Sequence, residues 1–496
     1  MKTHLKGFGL ENFRVFKDYT WFDFAPITVL TGPNNSGKSS LNKALLFLQD
    51  NLNKGKISPI FKMVQDGVDD GKVMVGFDEN GIVYDEDRTE EPTYFECFEP
   101  PSLSFDSKVH GLNYPNSTKF RTGNSDKLNF ALEYNISNKE SCIYQISCKI
   151  DKVRDVAENL FELEIYTMVG SEKKPLLLME PYSILFDIEL YNQIVEEKYQ
   201  INNINNIDTN KEITKDSRVL FEQWFEENKF GKKSKNSVKK VFGALKLTQN
   251  TNGSIRCNPI EQNLKNLDFW TSSRTEQKRI YAGDDSSEMK MSLEKIHRKT
   301  GKADLKEIFS PFTQIFGING QLDSTYVQEQ ESYSPNIDGF SLPNFGYGYT
   351  QLASLFFKLI AHCYDDEDIF YNGSESMIIL EEPEVNLHPN FQSKLADLFL
   401  RYASRFKIQF MIETHSEYMI RKFQYLVAKG RMKKEDIVIY YFHDPNNVPA
   451  GEPQVKKIDI LEDGSLSSDF GTGFFDEAIN WELELLRLKN HKNRQN

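Results

Sequence analysis

The run Ile27-Thr28-Val29-Leu30 leads through Thr31 into Gly32-Pro33-Asn34-Asn35-Ser36-Gly37-Lys38-Ser39-Ser40, and Leu41, Ala44, Leu45 and Leu48 then recur at helical spacing. A compact apolar run suits a buried parallel strand, and the later spacing predicts a helix that starts near Lys38. The turn between them matches GxxxxGK[ST], in which successive backbone N–H groups curl round a phosphate and the helix N-terminus adds its positive dipole end. Gly32 and Gly37 permit the backbone angles of such a loop. Lys38 is placed to reach β- and γ-phosphate oxygens, and the Ser39 hydroxyl to ligate Mg2+. Strand, loop and helix in this order call for an α/β sheet with the loop at the carboxyl end of a strand. ATP and Mg2+ are therefore the expected ligands, held through residues 32–40.

A second apolar run, Met377-Ile378-Ile379-Leu380, ends in Glu381-Glu382-Pro383. Alternation along a strand sends adjacent side chains to opposite sides. One carboxylate can thus face a metal ion through water while its neighbour faces an attacking water. Glu381 is assigned to the metal and Glu382 to the general base. A third apolar run, Phe410-Met411-Ile412, ends in Glu413-Thr414-His415-Ser416. A histidine at the carboxyl end of a neighbouring strand would lie beside the γ-phosphate, where it can donate a hydrogen bond and sense whether the phosphate is present. His415 takes that role.

Asn344-Phe345-Gly346-Tyr347-Gly348-Tyr349-Thr350-Gln351 precedes a helical pattern with Leu352, Leu355, Phe356 and Leu359 on one face. This is a second glycine-permissive helix start suited to an anion. The first loop already serves the ATP of its own protomer, so the second is expected to cap ATP held by another copy, through Gly346, Gly348 and Gln351.

The remaining chain sets the frame. At 496 residues it exceeds one ordinary core, and 39% apolar with 27% charged residues is the composition of a soluble globular protein. Its apolar runs are far too short to span a bilayer, the N-terminus lacks a signal-peptide core, and five scattered cysteines form no CxxC pair. A cytoplasmic protein without membrane association is expected. A net charge of −13 weighs against bulk nucleic-acid coating, although Lys232-Lys233-Ser234-Lys235 and Lys239-Lys240 form a local basic strip. Strand-like pieces at Val73 to Phe77, Phe130 to Ile136, Cys142 to Ile150 and Leu163 to Met168 predict an antiparallel β lobe. Ile184 to Tyr199 and Val219 to Asn228 read as helices around an Asn-rich separator. The expected division is 1–180, the first part of the nucleotide domain with its β lobe; 181–264, a mainly helical insertion; and 265–496, the second part.

Together these strings resemble the ABC-type ATPase heads of the OLD-like, RecF/SMC-like group of bacterial AAA-labelled ATPases. The opening Leu10-Glu11-Asn12-Phe13-Arg14, the loop at 32–40, Glu381 to Pro389, Glu413 to Ser416 and the tail Gly473-Phe474-Phe475-Asp476-Glu477 carry the likeness. The resemblance implies an α/β P-loop NTPase of ABC-ATPase type with an antiparallel β lobe and a short helical insertion. It implies that Lys38 and Ser39 are Walker A, Glu381 stands for the Walker B Asp, Glu382 is the catalytic Glu, Glu384 to Pro389 form the D-loop and His415 is the switch histidine. Residues 346–351 stand where other ABC proteins carry LSGGQ, although no Leu-Ser-Gly-Gly occurs. Gln49 and Gln65 both remain candidates for the Q-loop glutamine.

The resemblance also implies a head-to-head dimer, with larger assemblies left open, and a role like that of ATPase subunits in Septu-type, retron-associated or PARIS-like antiphage systems. Residues after Ser416 contain no DxD pattern with a preceding catalytic Glu. A nuclease or toxin effector is therefore expected on a separate chain. The alternatives are a RecF/SMC-like DNA-repair ATPase that binds DNA ends, and an ATP-binding scaffold with little turnover.

Overall fold

The computed structural model describes residues 4–57, strand segments and isolated residues between 60 and 264, and residues 267–495 apart from 273–277, 283–286, 301–304, 364–375 and 472–473. The chain divides into two compact units. One comprises Met1–His4, Phe24–Asn42 and Asn266–Asn496; the other comprises Leu5–Asp23 and Lys43–Lys265.

The first unit is built on six strands: β1 (Ile27–Thr31), β2 (Leu267–Thr271), β3 (Ser376–Glu381), β4 (Ile408–Glu413), β5 (Ile437–Phe442) and β6 (Val455–Ile458). Their order is β2-β3-β4-β1-β5-β6. The first five run parallel, and β6 pairs antiparallel to β5 at the edge. Every residue of β1, β4 and β5 is buried, so these strands need continuous apolar runs rather than alternation. The three apolar runs read from the sequence are β1, β3 and β4. Parallel pairing sets their carboxyl ends on one edge, with Glu381 opposite Glu413 and Glu413 opposite Leu30.

The helices around this sheet are α2 (Glu288–Thr300), α3 (Leu305–Phe316), α4 (Tyr347–Cys363), α5 (Pro389–Phe406) and α6 (Glu417–Ala428); α1 (Lys38–Asn53) leaves the phosphate-binding turn, and α7 (Glu477–Gln495) ends the chain. Leu352, Leu355, Phe356 and Leu359 of α4 all lie in the core with Ile378, Leu380, Phe410 and Ile412. Burying each such side chain contributes about 1.5–3 kcal/mol. Ala353, Phe357, Ile360 and Ala361 are buried as well, so α4 is enclosed on nearly every side rather than amphipathic. Among the described residues, no helix is long and apolar enough to cross a membrane.

The second unit contains the expected antiparallel lobe. Its seven-stranded sheet runs in the order Ser183–Phe186, Glu172–Glu180, Ala157–Val169, Glu140–Ile150, Lys127–Asn135, Leu5–Glu11, Thr20–Asp23. Leu5–Glu11 pairs antiparallel with Lys127–Asn135 on one side and with Thr20–Asp23 on the other. The third segment of the first unit starts at Asn266. Ile184 to Phe186, expected to open a helix, belongs to a strand paired with Glu172–Glu180, and 247–249 and 255–257 are strands too. The rest of the expected helical insertion, including Val219 to Asn228 and the basic strip at 232–240, lies outside the described residues.

Candidate nucleotide site

The Gly32–Ser39 turn joins β1 to α1 as the local sequence requires. Gly32 has φ +137° and Gly37 φ +110°, while Asn35 takes φ +63°. Gly32 is required for a second reason that lies far away in the chain. A Cβ there would stand 2.3 Å from the carbonyl oxygen of Phe442 on β5. Asn34 and Asn35 at the tip are exposed and Pro33 half-buried, whereas Ser36, Lys38 and Ser40 are buried. Ser36 Oγ has no hydrogen-bond partner.

Lys38 Nζ donates to the carbonyls of Gly32 (3.0 Å) and Pro33 (2.8 Å). The ammonium thus rests on the loop's own backbone, and phosphate oxygens can replace these acceptors. Burial lowers its pKa, opposed by Glu413, Glu382 and Glu384. Ser39 Oγ donates to Glu413 Oε1 at 3.0 Å, and Asn42 Nδ2 donates to Glu413 Oε2 at 3.0 Å. Both contacts span more than 370 residues of sequence. Glu413 is itself buried, which pushes its carboxyl up to about 7 against the pull of Lys38, with Glu381 adding to the rise.

Glu381 ends β3 in register with Glu413, so the two carboxylates share a face of the sheet edge. Glu382 follows with φ +49°, a left-handed conformation that costs a non-glycine residue about 1 kcal/mol or more and concentrates at functional sites. Its N–H donates to the Glu413 carbonyl at 2.8 Å, which holds it there. The Glu382 carboxylate is 41% exposed, and its Oε1 lies 4.0 Å from His415 Nε2. The expected general base and the expected γ-phosphate sensor are therefore side by side.

His415 is positioned by its backbone, whose N–H donates to Glu384 Oε1 at 2.6 Å. Its Nε2 is buried without a hydrogen-bond partner, and burial, with the Lys38 charge, lowers its pKa. A neutral ring with one unsatisfied nitrogen suits a donor to a phosphoryl oxygen. Thr414 is tied to β1 by its N–H to Leu30 O (3.0 Å) and by Thr31 Oγ1 to its carbonyl (2.8 Å). Ser416 caps α6 through Met419 N–H.

The glycine turn at 346–351 departs from expectation in part. Gly346 is exposed with φ +95°, and nothing stands within 4 Å of the place its Cβ would occupy. Phe345 and Tyr347 flank it, each 36% exposed. Gly348 lies within the first turn of α4, where a Cβ would stand 3.0 Å from Asn386 O in the expected D-loop. Its smallness serves close packing. Gln351 was expected to reach a second copy, but it is fully buried and donates to the Pro383 carbonyl at 3.3 Å. The helical repeat turns position 351 inward, so it braces the chain just after Glu382 instead of reaching outward. Gln49 lies in α1, and Gln65 ends the strand Ile60–Gln65.

Glu413, Asn42 and Glu384 were not singled out by type and spacing. Glu413 stood in the quoted string two residues before His415, and its place directly after the apolar run Phe410-Met411-Ile412, like that of Glu381 after Met377 to Leu380, was the available signal. The residues present fit a nucleotide with Mg2+: a glycine loop, a buried lysine, a hydroxyl, in-register carboxylates and an unsatisfied histidine nitrogen converge on one edge. Among the described residues, no three His, Cys, Asp or Glu side chains gather as a metal-binding group. Mg2+ usually takes only one or two carboxylates, completing its shell with phosphate oxygens and water.

The sheet order and this edge define a P-loop NTPase. The chain belongs to the AAA ATPase domain family, whose model matches residues 4–420. A second model, for a protein family of unknown function designated DUF3696, matches residues 432–485, the stretch that holds β5, β6 and the Phe474-Phe475 tail. Comparison with curated proteins gives no match. Among solved structures, the SMC head domain from Thermotoga maritima is similar at 10% identity and TM-score 0.35, over 92% of this chain and 100% of that one. An Smc head bound to the C-terminal winged-helix domain of ScpA aligns at 10% identity and TM-score 0.40, over 93% and 99%. The Smc head with an extended coiled coil from Pyrococcus furiosus, bound to the C-terminal domain of ScpA, gives 11% and 0.38, over 98% and 99%. With TM-scores this low, the identification rests on the family match and on the sheet edge.

Proposed function

We propose that this AAA-family protein hydrolyses ATP in a site that a second copy completes, and that pairing and opening of the dimer control a separate effector protein. Glu382 accepts a proton from the attacking water, which typically accelerates such a step by about 10²–10⁴. His415 Nε2 donates to a γ-phosphoryl oxygen, and Lys38 neutralises β/γ charge. Bound Mg2+ would supply further charge neutralisation at those oxygens, held by Ser39 and the carboxylate edge. The observation that carries the reading is the adjacency of Glu382 and His415, 4.0 Å apart just beyond the ends of β3 and β4, of which β4 is the direct neighbour of the strand that leads into the phosphate loop. The open turn at Gly346, flanked by exposed Phe345 and Tyr347, supports a role in covering ATP of another copy.

The antiphage setting, with a nuclease or toxin as effector, rests on the resemblance of the Glu381–Pro389 and Glu413–Ser416 strings. Phosphate release by wild type and Glu382→Gln, with light scattering in ATP, tests the core reading. Hydrolysis should be lost and the dimer should accumulate; equal rates would make the protein an ATP-binding scaffold. Tight, steeply salt-dependent binding to DNA ends without any partner would favour a DNA-repair role instead.

A further inference from the structure

We propose that Glu413 is a positioning residue of the magnesium site: it accepts a hydrogen bond from the Ser39 hydroxyl, orients that oxygen toward the ion and adds negative charge beside it. The proposal rests on the nucleotide reading above and adds to it a residue from the histidine-bearing strand.

A hydroxyl has one donor hydrogen and two acceptor lone pairs. When such an oxygen ligates a metal, its hydrogen needs another acceptor, and groups of this kind hold ligands in the geometry that the ion requires. Glu413 Oε1 is that acceptor for Ser39, at 3.0 Å. The other carboxylate oxygen is anchored by Asn42 Nδ2 at 3.0 Å, so the carboxylate is held at both ends. Asn42 projects from α1 itself, one helical turn after Ser39. The clamp therefore fixes Glu413 to the same helix that carries the ligand.

Sheet order explains why this carboxylate and not another meets Ser39. β4 is the direct neighbour of β1, and β3 with Glu381 is one strand further away. Charge points the same way. Glu413, Glu382 and Glu384 all act electrostatically on one buried ammonium, Lys38, and Glu381 acts on Glu413 in turn. Phosphates entering this edge add more negative charge, and a divalent cation beside Ser39 offsets it.

The test uses Mn2+ and ADP, a nucleotide with no γ-phosphate to lose, on the full-length protein. Bound Mn2+ is read by electron paramagnetic resonance, and ADP affinity is measured separately in EDTA. Glu413→Gln keeps an acceptor for Ser39 but loses the charge, and Asn42 Oδ1, buried without a partner, can turn to accept from the new amide. Mn2+ affinity in the ADP complex should fall about 10- to 100-fold. ADP affinity in EDTA should hold or rise, because a carboxylate facing phosphate has been removed.

A residue that merely supports the fold would weaken both. Asn42→Ala, which releases one end of the clamp, should lower Mn2+ affinity in the same direction, again without loss of ADP affinity in EDTA. Mn2+ affinity of Glu413→Gln within about twofold of wild type, the scale at which independent sites add, would overturn the proposal. So would equal losses with and without metal. Wild-type protein that binds ADP equally with Mn2+ and in EDTA would overturn this proposal alone, whereas wild-type protein that binds ADP in neither condition would bring down the nucleotide-site reading itself, and this proposal with it.

Discussion

Gly32→Ala is expected to disrupt the nucleotide site and the sheet that carries it, by an amount the structure allows to be worked out. The new Cβ would lie 2.3 Å from the Phe442 carbonyl oxygen and 3.1 Å from that residue's carbonyl carbon and amide nitrogen. Ordinary contact begins at 3.4 Å, so β1 and β5 would have to separate by about 1 Å. They are hydrogen-bonded neighbours from Ile27 to Thr31, and that shift strains the ladder on which the loop is mounted. Overpacking of this kind costs about 1–3 kcal/mol. The backbone at φ +137° adds about 1–3 kcal/mol for a residue with a side chain. A loss in the middle of that combined range, about 4 kcal/mol, corresponds to a fall in Tm of roughly 8–16 °C for a unit of this size.

Gly346→Ala is the comparison, with φ +95° but nothing within 4 Å of the added atom. Only backbone strain applies there, and an exposed turn relaxes part of it. Calorimetric melting of both variants, with ADP titration, separates the two causes. Gly32→Ala should lose at least twice the Tm of Gly346→Ala and bind ADP far more weakly. A Gly32→Ala protein that melts within about 2 °C of wild type, less than 1 kcal/mol on this scale, and binds ADP normally would refute the reasoning.

Lys38→Ala should abolish ADP and ATP binding in calorimetry, since the buried ammonium is the loop's own counter-charge; unchanged affinity would contradict its role. His415→Ala should leave ADP affinity near wild type but weaken discrimination of ATP over ADP, because the proposed role of Nε2 is to donate to a γ-phosphoryl oxygen that ADP lacks; equal losses for both nucleotides would argue against a sensor. In metal- and nucleotide-free protein, Glu413 is raised to about 7 from an ordinary value of 4.5. Its contribution to stability is therefore fully present below pH 4.5 and is lost as pH rises through 7. Glu413→Gln cannot ionise, so its stability relative to wild type should increase across that window in urea titrations. A difference that does not change with pH would remove the buried-carboxylate account.

Local chemistry made much of this protein legible from its sequence. The phosphate loop, the helix from Lys38, the apolar strands and the paired Glu381 and Glu382 are contiguous strings, and the backbone properties that make them work are set by neighbouring residues. Resemblance in the same strings agreed with the family match over residues 4–420. Glycine at 346 was likewise visible as a permissive turn, but the inward face of Gln351 was not, since helical phase alone does not say which side will be covered. Only tertiary structure decided that Leu5–Glu11 joins the lobe sheet, that Gly32 lies against Phe442, and that Ser39 and Asn42 hold Glu413. Those contacts follow from which strands become neighbours, a choice made by burial of whole sheet faces. No short run of residues carries that information, because the partners meet only after hundreds of intervening residues have packed.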